Sequence, residues 1–186
     1  MKRVMDVLGA LLGLLLTAPL WLLLALLIRL DSPGSALFRQ VRVGRNGQEF
    51  VLLKFRSMRR ETPNLSTAEL IASGLEPYTR LGKWLRRTSL DELPQLWNVL
   101  RGEMSLVGPR PALPSQTELN RGRKKNGVEA LRPGITGWAQ INGRDDLTDE
   151  EKLARDREYL LRQSLILDGR IIGRTIATIF TGKGNK

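Results

Sequence analysis

Histidine and cysteine are both absent from the 186 residues, and the two gaps exclude much of enzyme chemistry. No imidazole acid-base step, no Ser-His-Asp or Cys-His nucleophile and no His- or Cys-ligated metal can operate here. Without thiols there are no disulfides, so a reducing compartment is permitted. Aromatic residues are sparse: two Tyr and four Phe leave few platforms for stacking bases, and no zinc-finger, RNP or Gly-x-x-Gly pattern stands in a fitting context. Acidic residues are also short, nineteen Asp and Glu against thirty Lys and Arg, for a net charge of +11. That excess asks for an anionic partner, a phospholipid surface or a phosphorylated small molecule first and nucleic acid second. The chemistry that remains belongs to carboxylates, Lys, Arg and hydroxyls, a set that suits a hard, oxygen-seeking cation such as Mg²⁺. The length fits one domain with one active site.

Charge is missing locally as well. Between Val4 and Ile28 the only ionisable residue is Asp6, and these twenty-five residues exceed the roughly twenty needed to span a bilayer. A signal peptide is a poor match, because the apolar run continues past Ala18-Pro19 with no cleavage pattern. Lys2 and Arg3 precede the run, and Arg29, Arg39, Arg42 and Arg45 follow it, so the positive-inside rule draws both ends to the cytoplasm. Pro19 removes a helical hydrogen bond inside the run and can turn the chain back. Limbs of about fifteen and nine residues reach only ~22 and ~14 Å, short of a ~30 Å hydrocarbon core. A re-entrant helix-break-helix is the expectation for residues 1–30, with a kinked spanning helix as its rival. Residues 31–186 form the expected catalytic unit at the cytoplasmic face.

After the turn cluster Asp31-Ser-Pro-Gly34, two β-prone runs, LFRQVRV and EFVLLKF, flank an Asn-Gly turn and predict a small hairpin. Lys54 and Arg56, two residues apart, share a strand face, either to hold phosphate oxygens or to be solvated. Residues 59–78 read as a polar loop with a short helix over 67–73, and Tyr78 to Arg87 as a basic helix carrying Arg80, Lys83, Arg86 and Arg87. Then comes the element the chain is organised around. Ser89 is a suitable N-cap, Glu92 follows three residues later as in a capping box, and Leu93, Leu96, Trp97 and Leu100 recur at helical spacing until Gly102. Pro94 is harmless only in a first turn, so Asp91 and Glu92 are expected at the positive end of the helix dipole, ionised. Simple caps and catalytic carboxylates both fit that position.

Pro109 and Pro111 fix the backbone on either side of Arg110, an arrangement for bidentate anion or planar-base recognition. Residues 115–130 are a basic helix or loop. The stretch Arg132-Pro-Gly-Ile-Thr-Gly137-Trp-Ala-Gln-Ile-Asn-Gly143-Arg144 has the glycines to let backbone approach a phosphate closely. Thr148 and Asp149 cap a helix through about Leu161, and Leu165 to Phe180 is amphipathic, fit for a membrane interface or for packing on the core. Together these elements predict an α+β fold, mostly helical, with a re-entrant membrane helix, a small β-hairpin and interfacial amphipathic helices.

These blocks, KRVMDVLGA with its apolar run, RLDSPGSALFRQVRVGRNGQEF, KFRSM, RTSLDELPQLWNVLRGEMSLVGPRP, RPGITGWAQINGR and LDGRI, occur in an order that resembles the bacterial sugar transferase family, the monotopic phosphoglycosyl transferases. The resemblance implies Mg²⁺-dependent transfer of a sugar-1-phosphate from a UDP-sugar to polyprenyl phosphate, releasing UMP, at the cytoplasmic face of the bacterial inner membrane. It implies Asp91 as nucleophile and metal ligand, Glu92 as its acid-base partner, Pro109-Arg110-Pro111 facing the nucleotide and Arg144 facing a phosphate. Lys54 and Arg86 would lie beside them, and Lys2 and Asp168 would pair across the ends of the fold. Membrane phospholipid is an implied partner and nucleic acid is not; oligomeric state is unknown from the sequence. The length matches the small form of the family, and an acetamido or diacetamido sugar is weakly favoured. The chain departs at Ala18-Pro19, where the family often has Ser-Pro, and at Ala112, where it often has Glu after Pro-Arg-Pro. The rival class is a non-catalytic, membrane-anchored basic module that binds anionic lipid or nucleic acid.

Overall fold

A computed structural model describes the chain except residues 60, 64–73, 75–76, 144–145 and 182–186, together with the side chains of 179–181. The short helix expected over 67–73 therefore lies outside the described residues. The order is α1 (Lys2–Asp31), β1 (Leu37–Val43), β2 (Glu49–Phe55), α2 (Arg80–Arg87), α3 (Gln95–Arg101), β3 (Ser105–Val107), α4 (Thr117–Lys125), β4 (Gly134–Thr136), α5 (Trp138–Ile141), α6 (Asp149–Arg162) and α7 (Leu165–Thr181). Most of it is helix, as expected.

The apolar run forms one helix without a gap, α1, and Pro19 lies inside it. The expected break is thus not an interruption of the helix. Pro19 has no N–H to donate, while two residues earlier the Thr17 hydroxyl donates to the Gly13 carbonyl and accepts from the Trp21 indole. Such back-bonding bends helices and supplies a hydroxyl near the proline that Ala18 lacks. Both halves of α1 pack on the same domain. Ala10 joins Leu52, Leu96, Val99 and Met104 in one core, and Leu24 and Ile28 join Ala36, Phe55 and Leu85 in another. Polar ties fasten each end. Asp6, buried, accepts from the Ser105 hydroxyl and the Leu106 N–H, and Arg56 donates to the Ile28, Ser32 and Pro33 carbonyls. The other face is bare: Leu8, Leu15, Leu16, Leu22 and Leu30 are 61–78% exposed. Each leucine fully removed from water contributes about 1.5–3 kcal/mol, so a continuous face of them calls for lipid. Among the described residues α1 alone is long and apolar enough to cross a membrane.

The hairpin matches expectation, with Asn46 (φ 55°) and Gly47 (φ 74°) in the left-handed region that reverses the chain. Its register pairs Phe38 with Lys54 and Arg42 with Phe50, so Gln40, Arg42 and Lys54 share one face. Asn98, fully buried on α3, receives the Leu53 N–H and donates to the Val51 carbonyl, fixing β2 beside the helix. Residues 105–107 and 134–136, to which the sequence reading assigns no element, pair as short parallel strands β3 and β4. The glycines there lie tight against backbone. A Cβ on Gly134 would lie 2.1 Å from the Gly108 nitrogen, and one on Gly137 2.0 Å from the Gly108 carbonyl oxygen. Close approach is their role, as expected, but the approaching group is another strand.

The third core holds Val107, Tyr159 and Ile171. On α7 the core-packing reading holds for one side, where Ile171 is fully buried, while Ile166 and Ile176 on the other are 72% and 50% exposed. Thr148 caps α6 as expected, and does so in a capping box with Glu151.

Candidate active site

The Asp-Glu element is built differently from its sequence reading. Ser89 has φ 56° and caps nothing; Leu90–Glu92 form a single 3-10 turn, and α3 starts only after Pro94. The cause is Pro94. With no N–H at that position, the chain closes by i→i+3 bonds, Leu93 N–H to Leu90 O, then Leu96 to Leu93 and Trp97 to Pro94. Asp91 and Glu92 therefore precede the helix, which has only seven residues, and do not sit in its first turn. No capping box forms, because the Glu92 side chain points elsewhere. Its Oε1 accepts from Lys54 Nζ at 3.0 Å and from Arg110 Nη1 at 3.3 Å.

The two carboxylates are both buried and unequally provided for. Among the described residues none donates a hydrogen bond to Asp91, which is 3% exposed and borders a cavity of about 440 Å³. That cavity is cationic: Arg42, Lys54, Arg86 and Arg110 line it, with Phe38 and Met58 on its apolar side. Burial pushes the Asp91 carboxyl up; the Lys54 charge opposes that rise and the Glu92 charge adds to it. Proton affinity here is thus set by desolvation, and the expected helix-dipole stabilisation of the ionised form is not what governs it. Lys54 is lowered by its own burial, against Glu92 and Asp91. Arg42 falls to about 10, through burial first and the neighbouring Arg110 next.

Arg110 is held by more than its prolines. Gly134 N–H donates to the Pro109 carbonyl, Arg123 to that of Arg110, Arg42 to that of Pro111, and Val43 N–H to that of Ala112. Ala112 itself is buried, so packing fills the position where the family often has Glu. A smaller, mainly apolar cavity of about 200 Å³ lies on the Glu92 side, with Leu93, Leu96, Ile135 and Ile141 in its walls. Arg110 borders both cavities.

Of the expected site residues, Asp91, Glu92, Lys54, Arg86 and Arg110 converge, with Pro109 and Pro111 supporting; Arg144 lies outside the described residues. Arg56 also borders the larger cavity, but its guanidinium donates to the carbonyls that close the end of α1. Sequence reading missed Arg42, Arg123 and Gln140. The hairpin register was the available signal for Arg42: once Asn46-Gly47 is the turn, Arg42 must face the same side as Lys54. Gln140 has both side-chain polar atoms buried without a partner, and no sequence signal marks it.

Lys2 Nζ and Asp168 Oδ2 are 2.6 Å apart, as the resemblance implied, and the Tyr159 hydroxyl donates to the other oxygen of Asp168. Asp168→Lys strands both donors and is expected to cost about 3 kcal/mol in denaturant unfolding. Adding Lys2→Asp restores only part of that, because the Tyr159 bond stays lost.

The bacterial sugar transferase family matches residues 1–182, and the chain belongs to that family. It is 47% identical to an undecaprenyl-phosphate glucose phosphotransferase of Komagataeibacter xylinus, over 94% of this chain and 35% of that protein. To a UDP-glucose:undecaprenyl-phosphate glucose-1-phosphate transferase of Caulobacter vibrioides it is 43% identical, over 97% and 70%. To a UDP-N-acetylgalactosamine-undecaprenyl-phosphate N-acetylgalactosaminephosphotransferase of Aeromonas hydrophila it is 40% identical, over 98% and 44%. The chain thus spans about a third to under three quarters of the length of these relatives.

Proposed function

We propose that this member of the bacterial sugar transferase family transfers a sugar-1-phosphate from a UDP-sugar, glucose being the first to test, to polyprenyl phosphate with release of UMP. The reaction runs in two steps. An Asp91 oxygen attacks the phosphorus that bears the sugar, the bond to the bridging oxygen breaks, and UMP leaves. A phosphate oxygen of the lipid then attacks the same phosphorus and frees Asp91, giving polyprenyl-diphospho-sugar. The observation that carries this is the asymmetry of the carboxylates: among the described residues none donates a hydrogen bond to Asp91, which borders the cationic cavity, while Glu92 is tied to Lys54 and Arg110. A group left unpaired at that cost of burial is one kept for a reaction. Arg42, Lys54, Arg86 and Arg110 would hold the diphosphate and neutralise charge as it develops, which phosphoryl transfer needs more than proton chemistry.

Two adjacent carboxylates, with no cluster of three potential ligands among the described residues, fit an ion that takes one or two carboxylates and completes its shell with substrate phosphates. Asp91, with Glu92 beside it, would hold Mg²⁺, which when bound supplies further charge neutralisation at the phosphates.

Incubating the protein with UDP-glucose and Mg²⁺ but no lipid tests the two-step route. The expected result is one UMP per active site and a hexose-phosphate mass on Asp91, with ping-pong kinetics once lipid is added. No UMP before lipid, together with sequential kinetics, would replace it with direct attack in a ternary complex.

The same reading puts both ends of α1 at the cytoplasmic face of the inner membrane. Support comes from the ties of Lys2, Arg3 and Asp6 at one end, and of Ile28 and Ser32 at the other, to a single polar domain. A cysteine added before Met1 and Ser35→Cys should show equal accessibility to a membrane-impermeant reagent, with no native thiol to interfere; opposite sidedness would establish a spanning helix.

A further inference from the structure

The Asp91-Glu92 turn separates two cavities of opposite character. On the Asp91 side is the larger one, about 440 Å³ and rich in Arg and Lys; on the Glu92 side is the smaller one, about 200 Å³ and mainly apolar. A nucleoside diphosphate sugar brings charge and bulk and matches the first. The second has the features of a site for something apolar with an anionic head. Its walls include Leu96 and Ile135, and its polar lining includes Glu92, Gln140 and Arg110, the last of which also reaches the first cavity.

Its position names the occupant. Leu96 lines the cavity and also packs against the membrane helix, since a Cβ on Gly13 would lie 3.0 Å from Leu96 Cδ1. The opposite wall is α7, through Thr175 and Thr178, the helix whose Ile166 and Ile176 stay exposed. A compartment with one wall residue packed on the membrane helix and another wall on a helix with bare isoleucines lies where a lipid substrate is, whereas a soluble nucleotide has no need of such walls. At about 200 Å³ it has room for the isoprene next to the phosphate and not for a whole polyprenyl chain.

We infer that this cavity seats the phosphate-proximal isoprene of the lipid acceptor, so that donor and acceptor occupy separate compartments that meet at Arg110 and Glu92. The inference rests on the proposed transfer reaction and adds where its second substrate enters. Arg110 can follow both substrates because it borders both cavities, which suits a site where one phosphate leaves before another arrives.

Filling the cavity tests it. Thr178→Phe, made in the full chain, is expected to raise the KM for polyprenyl phosphate about tenfold or more by overpacking. The KM for the UDP-sugar should stay within about twofold, because uniform binding of the donor is untouched. On the wild-type protein, specificity for alkyl and prenyl phosphates should rise from ethyl to dimethylallyl phosphate and then level, and Thr178→Phe should flatten that rise. A raised KM for the UDP-sugar with an unchanged acceptor KM would assign the cavity to the nucleotide or sugar and overturn the inference. No change in either constant, with thermal unfolding confirming an intact fold, would also overturn it. If wild type releases no UMP with any acceptor, the transfer reaction itself fails, a result separate from either outcome.

Discussion

Asp91→Asn should slow UMP release on the order of 10⁴-fold, the scale on which removing a member of a covalent catalytic unit acts, while leaving the protein as stable as before or more so. Both halves follow from the same geometry. The carboxylate is 3% exposed, accepts no hydrogen bond among the described residues, and is pushed up in pKa by burial. A buried carboxylate that accepts no hydrogen bond costs folding free energy, so a neutral amide of the same shape reduces a penalty. Lys54 limits the gain, because its charge favours the ionised Asp91. Glu92→Gln should behave otherwise. It breaks ion pairs to Lys54 and Arg110, so a rate loss of about 10²-fold should come with a lower unfolding midpoint. Thermal unfolding and UMP release measured on both variants check this. Residual Asp91→Asn activity within about tenfold of wild type would deny it the role of nucleophile, since no neutral amide substitutes for an attacking carboxylate.

Which residues belong to this site was legible in the sequence chiefly where the pattern is local. The hairpin, its turn and the helix α6 follow from short-range signals, and Lys54, Asp91, Glu92 and Arg110 lie in strongly marked motifs. Their arrangement was less legible, for two physical reasons. Ser89 and Glu92 have the spacing of a capping box, but a capping box is worth about 1 kcal/mol, and two cations near a buried carboxylate outbid it. The second reason is long range. Strands of three residues carry too little alternation to be seen, so the pairing of β3 with β4 was invisible, and with it the true partner of Gly108, Gly134 and Gly137. Arg123 and Asp156 were hidden in the same way: on helices that look solvent-exposed and salt-bridged along the chain, the pair that matters joins residues thirty-three apart.

That pair carries the second large effect. Arg123 donates through Nε and Nη2 to Asp156, and through Nη1 to the Arg110 carbonyl at 2.9 Å; both side chains are buried. Burial pushes the Asp156 carboxyl up against the pull of Arg123, so desolvation consumes much of what the pairing returns. Breaking it from one side is nevertheless severe. Asp156→Ala leaves a buried guanidinium unpaired and is expected to cost about 3–5 kcal/mol in denaturant unfolding, enough to unfold a domain whose total stability is about 5–15 kcal/mol in part or whole. Replacing both partners with apolar residues, Arg123→Met with Asp156→Leu, should recover most of that stability, because the desolvation cost disappears along with the attraction. Activity should not return with it. The Arg110 carbonyl loses its donor, and with it one of the four backbone bonds that hold residues 109–112, so a guanidinium that must meet a phosphate is left free to drift. Misplacement of about 1 Å costs about 10²-fold in rate. A double variant that unfolds like wild type but transfers about 10²-fold more slowly would mark Arg123 as a positioning residue acting through Arg110. Full activity in that variant would reduce the pair to a structural staple, and an Arg110→Ala background offers the control: there, losing Arg123 should slow transfer no further.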